Sequence, residues 1–259
     1  MKAILFDIDG VLFSDNGAVD GASATLQWAR RMQIPHLFVT NSTSISRAEL
    51  LRRLQTLDPA ITGDQLLTPA TAVRHWLAQN PGIRLAMFVP QAVQNELADV
   101  ASHREEECRG VVIGDLGPSW SYFHLNHAFR ILMQRPGQML LALGMTRYYR
   151  NDDSLQLDAG PFVKALEFAS GQPALVFGKP ASGFFQQALS LLGVDAADTL
   201  MVGDDLMSDV MAAQSCGLSG ALVRTGKYRP EDEQGSVRAQ HVLASVADVP
   251  TWWQRQHAA

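Results

Sequence analysis

Cysteine is nearly absent from this 259-residue chain: Cys108 and Cys216 are the only two, far apart and without a CxxC spacing. A disulfide framework and a thiolate zinc site are thereby excluded, and a reducing compartment is the expected setting. Long apolar runs are missing too. The longest, such as residues 139–143, fall far short of the roughly 20 residues that span a bilayer. There is no basic excess, since 21 Lys+Arg stand against 26 Asp+Glu for a net charge of −5. Proteins that grip polyanions carry a basic face, so neither nucleic acid nor a membrane is an expected partner. A small phosphorylated substrate remains compatible, because it needs only one or two local cations. Internal repeats, low-complexity stretches and Gly/Ser-rich linkers are all lacking, so the domain crossings read as short hinges. The opening Met1-Lys2-Ala3-Ile4-Leu5-Phe6-Asp7 sets an acid directly after its apolar run, which is how a strand begins rather than a signal peptide. A cytoplasmic protein is expected.

What the chain does have is 47% apolar and 18% charged residues, enough for a sizeable core and unlike a disordered composition. At roughly 150 residues per domain, the length fits one large or two modest domains. Short β-rich apolar runs alternate with longer segments of helical period, which predicts an α/β fold with a mostly parallel sheet. Strands are expected at 3–6 and 36–39, with helices at 22–32, 47–57 and 68–79. Arg52-Arg53 should point outward from the second of these helices. Thr68 is the expected N-cap of the third, with Pro69 at its first position. After Asn80-Pro81-Gly82 the texture changes, with strands at 85–89, 111–114 and 139–143 and a hairpin through 148–157. Helices at 92–100, 122–134 and 158–170 accompany them. The opening rhythm then resumes with strands at 174–177, 199–202, 221–223 and 241–244, and helices at 183–192 and 206–216. Residues 80–175 therefore read as an inserted domain, and residues 1–79 and 176–259 as two parts of one core.

Carboxylates gather at the expected strand ends. Phe6-Asp7-Ile8-Asp9-Gly10-Val11 follows the first strand, at the edge where open α/β sheets bind ligands. Asp7 is placed there to attack an electrophilic phosphorus or carbon. Asp9, two residues on, can serve as general acid and then as base for water. A capped turn or a cation loop would use the same residues, although the later ligands of an EF-hand are missing. A second cluster is Met201-Val202-Gly203-Asp204-Asp205 followed by Ser208-Asp209. Asp204 sits at a strand end. Asp205 and Asp209 are four apart at a helix start, where the macrodipole alone also favours acids. Carboxylates drawn from two strand ends together suit Mg²⁺. Val39-Thr40-Asn41-Ser42-Thr43 offers hydroxyls and an amide to phosphoryl oxygens, or simply a turn. Gly178-Lys179-Pro180 sets a lysine where it can neutralise an anion and a nucleophile. Four strand ends thus each deliver one element of a phosphoryl-transfer site.

In that order, the four motifs resemble those of the haloacid-dehalogenase-like superfamily of phosphohydrolases. The insertion between Thr40 and Lys179 lies where the superfamily's C2 caps lie. Ser46-Arg47-Ala48-Glu49-Leu50, Ala128-Phe129-Arg130-Ile131-Leu132-Met133, Arg147-Tyr148-Tyr149, Gly160-Pro161-Phe162 and Arg224-Thr225-Gly226-Lys227-Tyr228-Arg229 extend the resemblance over nearly the whole chain. They make it similar to the C2-capped subclass IIA, in the subgroup of phospholysine phosphohistidine inorganic pyrophosphate phosphatases and their near relatives. The resemblance implies a Rossmann-like parallel-sheet core with an inserted α/β C2-type cap. It implies Asp7 as a nucleophile forming an aspartyl-phosphate, Asp9 as general acid/base, and Thr40, Asn41 and Lys179 as phosphate-binding groups. Mg²⁺ would be held by Asp7, the Asp9 backbone carbonyl and Asp204, with Asp205 and Asp209 as supporting acids. The loop 144–149 would face the core site, making Met145, Arg147 and Tyr148 candidates for reading the leaving group. Relatives often dimerise through the cap, which leaves a homodimer open.

The expected function is hydrolysis of a small phosphorylated metabolite. Alternatives are pyrophosphate or P–N hydrolysis by the same mechanism, and a catalytically idle binding protein. Some animal members of the subgroup carry Ser where this chain has Asp9, so the chain reads as more orthodox for monoesters. Carbon–halogen hydrolysis is disfavoured, because a halide leaves without a proton. Three other features read as structural: His124 and His127 as a polar helix face, Asp115 as a turn residue, and Trp252-Trp253 as packing for the last helix.

Overall fold

The computed structural model describes residues 1–43, 45–151 and 154–257. β1 (Ala3–Asp7) leads into a short hairpin of β2 (Phe13–Ser14) and β3 (Gly17–Ala18), then α1 (Ala22–Arg31), β4 (His36–Val39), α2 (Arg47–Gln55), β5 (Leu66–Leu67) and α3 (Pro69–Gln79). The middle runs β6 (Ala86–Phe88), α4 (Gln91–Glu96), β7 (Gly110–Ile113), α5 (Tyr122–Met133) and β8 (Met139–Ala142). A hairpin of β9 (Tyr148–Asn151) and β10 (Ser154–Leu157) follows, residues 152–153 lying outside the described residues, then α6 (Ala159–Ser170) and β11 (Ala174–Val176). The last part is α7 (Ser182–Leu192), β12 (Thr199–Gly203), a π-helical turn over Leu206–Met211 continued by α8 (Ala212–Ser215), β13 (Ser219–Val223), β14 (His241–Leu243) and α9 (Val249–His257).

These elements form two compact units. One, the core, comprises Met1–Thr40, Arg47–Leu67 and Lys179–Ala259; the other, the inserted unit, comprises Asn41–Ser46 and Thr68–Gly178. The core sheet has the order β14-β13-β12-β1-β4-β5 with every pair parallel. β1 is buried along its whole length, as a central parallel strand covered on both faces requires. From β1 the chain passes to β4 on one side and later to β12 on the other, which opens a crevice at the carboxyl ends of these strands. The register pairs Asp7 with Val39 and Phe6 with Val202, so Asp7, Thr40 and Asp204 all emerge at that edge. Beneath them Phe6 stacks on Phe38 at 6.3 Å and meets the His36 ring edge-on at 6.2 Å. Trp253 of α9 packs edge-on against Trp28 of α1, the structural role expected of it.

The inserted unit has its own parallel sheet, β11-β8-β7-β6, with α5 and α6 packed over a core that includes Phe88, Val111, Ile131 and Leu140. The fold is therefore a Rossmann-like α/β core with an inserted α/β unit of C2 type.

Three expectations need correction. The strand at 174–177 does not join the core sheet: β11 pairs with β8 at the edge of the inserted sheet. A three-residue edge strand with Leu175 exposed carries no burial pattern that would distinguish the two sheets. Lys179 thus leaves an edge of the inserted sheet, and the core sheet supplies three site-bearing strand ends rather than four. α3 starts where Thr68 caps it, accepting from Thr71 N at 3.2 Å, but it groups with the inserted unit. Arg74 bonds to Glu96 O at 2.9 Å and pairs with Asp99 at 2.7 Å, and Trp76 meets the Phe177 ring at 5.8 Å, which ties the helix there. The helix expected at 92–100 is only the six-residue α4.

Phe6 is fully buried in the central strand, one residue before Asp7. Phe6→Ala should lower unfolding stability by about 3–5 kcal/mol. Urea denaturation checks this, and a loss below about 1 kcal/mol would remove Phe6 from the packing that fixes the site.

Candidate active site

Asp7 ends β1 with its side chain buried, because the residue before it is locked into the sheet. Lys179 Nζ, also buried, donates to Asp7 Oδ1 at 2.5 Å and pairs with Asp209 Oδ1 at 2.7 Å. Asp7, Asp204 and Asp209 each bring a carboxylate oxygen within 4.8 Å of the others, and all three are buried. Burial pushes the Asp7 carboxyl well above its ordinary value; Lys179 works against this, while Asp209 and Asp204 add to it. Burial likewise lifts Asp204 to about 6, helped by Asp209. Burial opposes the Lys179 charge, yet Asp209 and Asp7 more than offset it and hold the ammonium above its usual range.

Three carboxylates against one ammonium leave a formal charge of −2 in a buried space, which one divalent cation balances. Asp204 Oδ1 is buried and accepts no hydrogen bond among the described residues. An unmatched oxygen within a set of carboxylate donors fits a hard divalent ion.

Backbone at two glycines makes room for Asp204. Gly10 and Gly226 have φ of +87° and +61°, and a Cβ on either would overlap the Asp204 carboxylate. Lys227 N donates to Asp204 Oδ2 at 2.7 Å, and Thr225 Oγ1 donates to Gly10 O at 2.5 Å, closing the loop after β13 onto the loop after β1. Gly203 leaves the space Asp209 occupies in the same way.

Residues 4–102 match the family described as haloacid dehalogenase-like hydrolase, and residues 176–249 match the one described as HAD-hydrolase-like. The chain is 40% identical to human phospholysine phosphohistidine inorganic pyrophosphate phosphatase over 254 residues, covering 96% of this chain and 92% of that protein. The chain belongs to the haloacid dehalogenase-like hydrolases. Over 233 residues it is also 40% identical to the bovine haloacid dehalogenase-like hydrolase domain-containing protein 2, covering 90% of this chain and 88% of that one. Its fold resembles that of p-nitrophenyl phosphatase from Archaeoglobus fulgidus, with a TM-score of 0.88 at 24% identity, covering 97% of this chain and 98% of that one. As a member of this hydrolase family, with phosphatases among its relatives, it is a phosphohydrolase.

Within this hydrolase, the residues singled out in the sequence fall into distinct places. Asp7, Lys179, Asp204 and Asp209 converge as described. Asp209, expected as a supporting acid, stands in the carboxylate trio itself. Asp205 turns away to cap the π-helical turn, accepting from Met207 N at 3.0 Å and Ser208 N at 2.9 Å. Burial opposes the Asp205 charge, but these bonds and Lys227 hold its carboxyl below the usual range. The Asp9 side chain is outside the trio, exposed and paired with Arg53 at 3.0 Å. That pair corrects the outward orientation expected of Arg53. Thr40 is buried at the end of β4, its N–H donating to Leu67 O at 3.3 Å. Asn41 opens the inserted unit, its side chain packed against Gly178, where a Cβ would stand 2.9 Å from Asn41 Oδ1.

Met145 packs partly buried against the inserted unit's core, while Arg147 and Tyr148 are exposed, the guanidinium 5.6 Å from the ring centre. Asp115 makes the turn expected of it, Oδ1 accepting from Gly117 N at 2.7 Å. His127 faces Glu105 at 2.8 Å, and His124 meets Ser121 Oγ at 3.0 Å. Among the described residues, the Asp trio is the one group with metal-ligand spacing. Sequence reasoning gave no role to Thr225, Gly226 or Lys227; the Thr-Gly-Lys step, one residue after β13, was the available signal.

Gly171 also has a positive φ, +69°, but a Cβ there meets nothing within 4 Å. Gly171→Ala should therefore cost only backbone strain, about 1 kcal/mol. Gly226→Ala should cost at least about 2 kcal/mol, from strain plus displacement of Asp204, and should weaken divalent-cation binding. Thermal melts with and without the cation check both; equal behaviour of the two variants would rule out the cradle.

Proposed function

We propose that this protein is a Mg²⁺-dependent phosphatase that hydrolyses a small phosphorylated metabolite through an aspartyl-phosphate on Asp7. The observation that carries the reading is the buried Asp7 carboxylate, held at 2.5 Å by Lys179 beside Asp204 and Asp209. Lys179 fixes the carboxylate and prevents its rotation, so one oxygen is presented to the phosphorus. Asp7 attacks, the P–O bond to the leaving group breaks, and the leaving oxygen takes a proton from Asp9. Asp9, now a carboxylate, takes a proton from water as that water attacks the phosphorus. Asp7 is released with inorganic phosphate. Thr40, Asn41 and Lys179 donate to the non-bridging oxygens. Asp7, the Asp9 carbonyl and Asp204 would hold Mg²⁺, with Asp209 beside them; when bound, it supplies positive charge that neutralises the phosphoryl oxygens. Met145 and Arg147, on the loop before the β9–β10 hairpin, and Tyr148, the first residue of β9, are the proposed readers of the leaving group.

A second reading, hydrolysis of pyrophosphate or of a P–N bond by the same steps, is favoured by the 40% identity to the human enzyme named for those substrates.

Asp7→Asn should lose on the order of 10³-fold or more in turnover of p-nitrophenyl phosphate, with its unfolding midpoint little changed. Substantial phosphate release by a folded Asp7→Asn protein would overturn the nucleophile assignment. A panel of phosphate monoesters, pyrophosphate and phosphoramidates then separates the two readings.

The raised Asp204 carboxyl predicts a pH dependence of metal binding. Its value of about 6 lies above the ordinary 3.8, so the metal-free protein is favoured by acid. That contribution is fully present below 3.8 and is lost as pH rises through 6. Mg²⁺ must displace this proton, so its apparent affinity should fall about tenfold per pH unit below 6. Calorimetric titration at pH 5 and pH 7.5 checks this, and equal affinities would exclude it.

A further inference from the structure

The turn that meets Asp204 is strung between two side chains that share one carboxylate. Glu233 accepts from Arg224 Nε at 2.7 Å and Nη2 at 2.9 Å, and from the Tyr228 hydroxyl at 2.6 Å. Arg224 directly precedes Thr225-Gly226-Lys227, and Tyr228 directly follows it. Arg224 N donates to Leu243 O of β14 at 3.0 Å, and Tyr228 N closes the turn on Thr225 O at 3.3 Å. Glu233 itself ends a single 3₁₀ turn, Pro230–Glu233, which Arg229 N fixes by donating to Asp232 Oδ2 at 2.8 Å. Arg224 and Tyr228 hold the Glu233 carboxyl down to about 2, so it accepts as an anion at ordinary pH. The Arg224 side chain is 50% exposed and that of Glu233 30%. Ion pairs that solvent reaches add little to global stability, so the effect of this one falls on the segment it spans.

The structure assigns Arg224, Tyr228 and Glu233 as positioning residues for the divalent-cation site: they hold the 225–227 turn so that one oxygen of Asp204 is tied and the other is left for the ion. The assignment rests on the proposed metal site. Lys227 N donates to Asp204 Oδ2 at 2.7 Å, whereas Oδ1 is buried and accepts no hydrogen bond among the described residues. A carboxylate pinned through one oxygen does not rotate, so the other is aimed before the ion arrives and the ion meets an oriented ligand. The pin is a main-chain N–H, so the path of the backbone controls it, whatever the Lys227 side chain does. Gly226 lets that path approach Asp204, and Thr225 Oγ1 ties it to Gly10 O. Both act inside the turn. Glu233 holds its two ends, with a forked, charge-assisted grip on the guanidinium at one and a hydroxyl at the other.

The test reads two quantities in the wild type, Glu233→Ala, Tyr228→Phe and Lys2→Ala, the last a control that breaks the exposed pair between Lys2 and Asp198. One is the Mg²⁺ dissociation constant at pH 7.5, by calorimetric titration. The other is hydrogen exchange at the Lys227 amide of the metal-free protein, taken relative to the Leu5 amide in β1. In Glu233→Ala the dissociation constant should rise about tenfold or more, and Lys227 should exchange faster relative to Leu5 by a similar factor. Tyr228→Phe, which loses one hydrogen bond, should change both about threefold, and Lys2→Ala neither. A Glu233→Ala protein that binds Mg²⁺ as the wild type does overturns the assignment. Equal acceleration of both amides overturns it as well, because the loss is then one of general stability. Weaker binding with an unchanged Lys227 amide also overturns it, since the lost charge would then act on the ion directly. A wild type that binds no Mg²⁺ refutes the metal site, and the assignment falls with it; the amide ratio, read without metal, tells that failure from the others.

Discussion

Lys179 is the charge on which this site depends. Three carboxylates are packed out of solvent at the carboxyl edge of the core sheet, and the lysine, itself buried, touches two of them. A buried ion pair of this kind is a weak argument for stability, because desolvating its members costs about as much as their attraction returns. Removing one partner is another matter, since it strands the rest. The lysine therefore reads as the condition under which the Asp7 and Asp209 side chains can share one pocket. Perturbed carboxyls concentrated in one crevice are what a reactive site requires, and burial raises both Asp7 and Asp204 there.

Backbone geometry serves the same constraint. The carboxylate of Asp204 fits only because Gly10 and Gly226 approach it without side chains, both in a left-handed conformation that other residues adopt at a cost. The π-helical turn after β12 does comparable work for Asp209. Its wider winding lets the backbone N–H groups of Asp209 and Val210 share the Asp205 carbonyl, at 3.1 and 3.3 Å, while the Asp209 side chain fills the space that Gly203 leaves. Asp205, which looks equivalent in the sequence, is consumed in capping that turn. Its neighbours thus hold the metal-type geometry while it holds the helix.

Much of this was legible beforehand, for physical reasons. Continuous apolar runs ending in acid marked β1 and β12, because a central parallel strand is covered on both faces and its carboxyl end faces the crevice. Thr68 before Pro69 announced the start of α3, because a hydroxyl cap and a residue without an N–H both suit a first turn. Other features depend on tertiary packing that a local pattern does not encode. The apolar residues of β11 would suit an edge in either sheet, and nothing in Ala174-Leu175-Val176 selects its partner β8. The membership of α3 is decided by what Arg74 and Trp76 meet. Arg53 follows Arg52 on a helix whose buried face is Leu50 and Leu54, so a binary pattern marks both as polar. Only the fold brings one of them to Phe13 and Asp9.

The contrast between Asp7 and Asp9 shows how two identical side chains are given different surroundings. They are two residues apart, separated by the buried Ile8, and the strand ends between them. Asp7, the last residue of the sheet, keeps the strand's burial and meets an ammonium that is itself enclosed. Asp9, one step into the turn, is half exposed and meets a guanidinium that solvent can also reach. A nucleophile benefits from the first setting, which fixes one oxygen and excludes competing water. A group that must exchange protons with a leaving oxygen and then with water benefits from the second, which lets both approach. The difference in surroundings comes from where β1 stops, with Asp7 inside the strand and Asp9 beyond it.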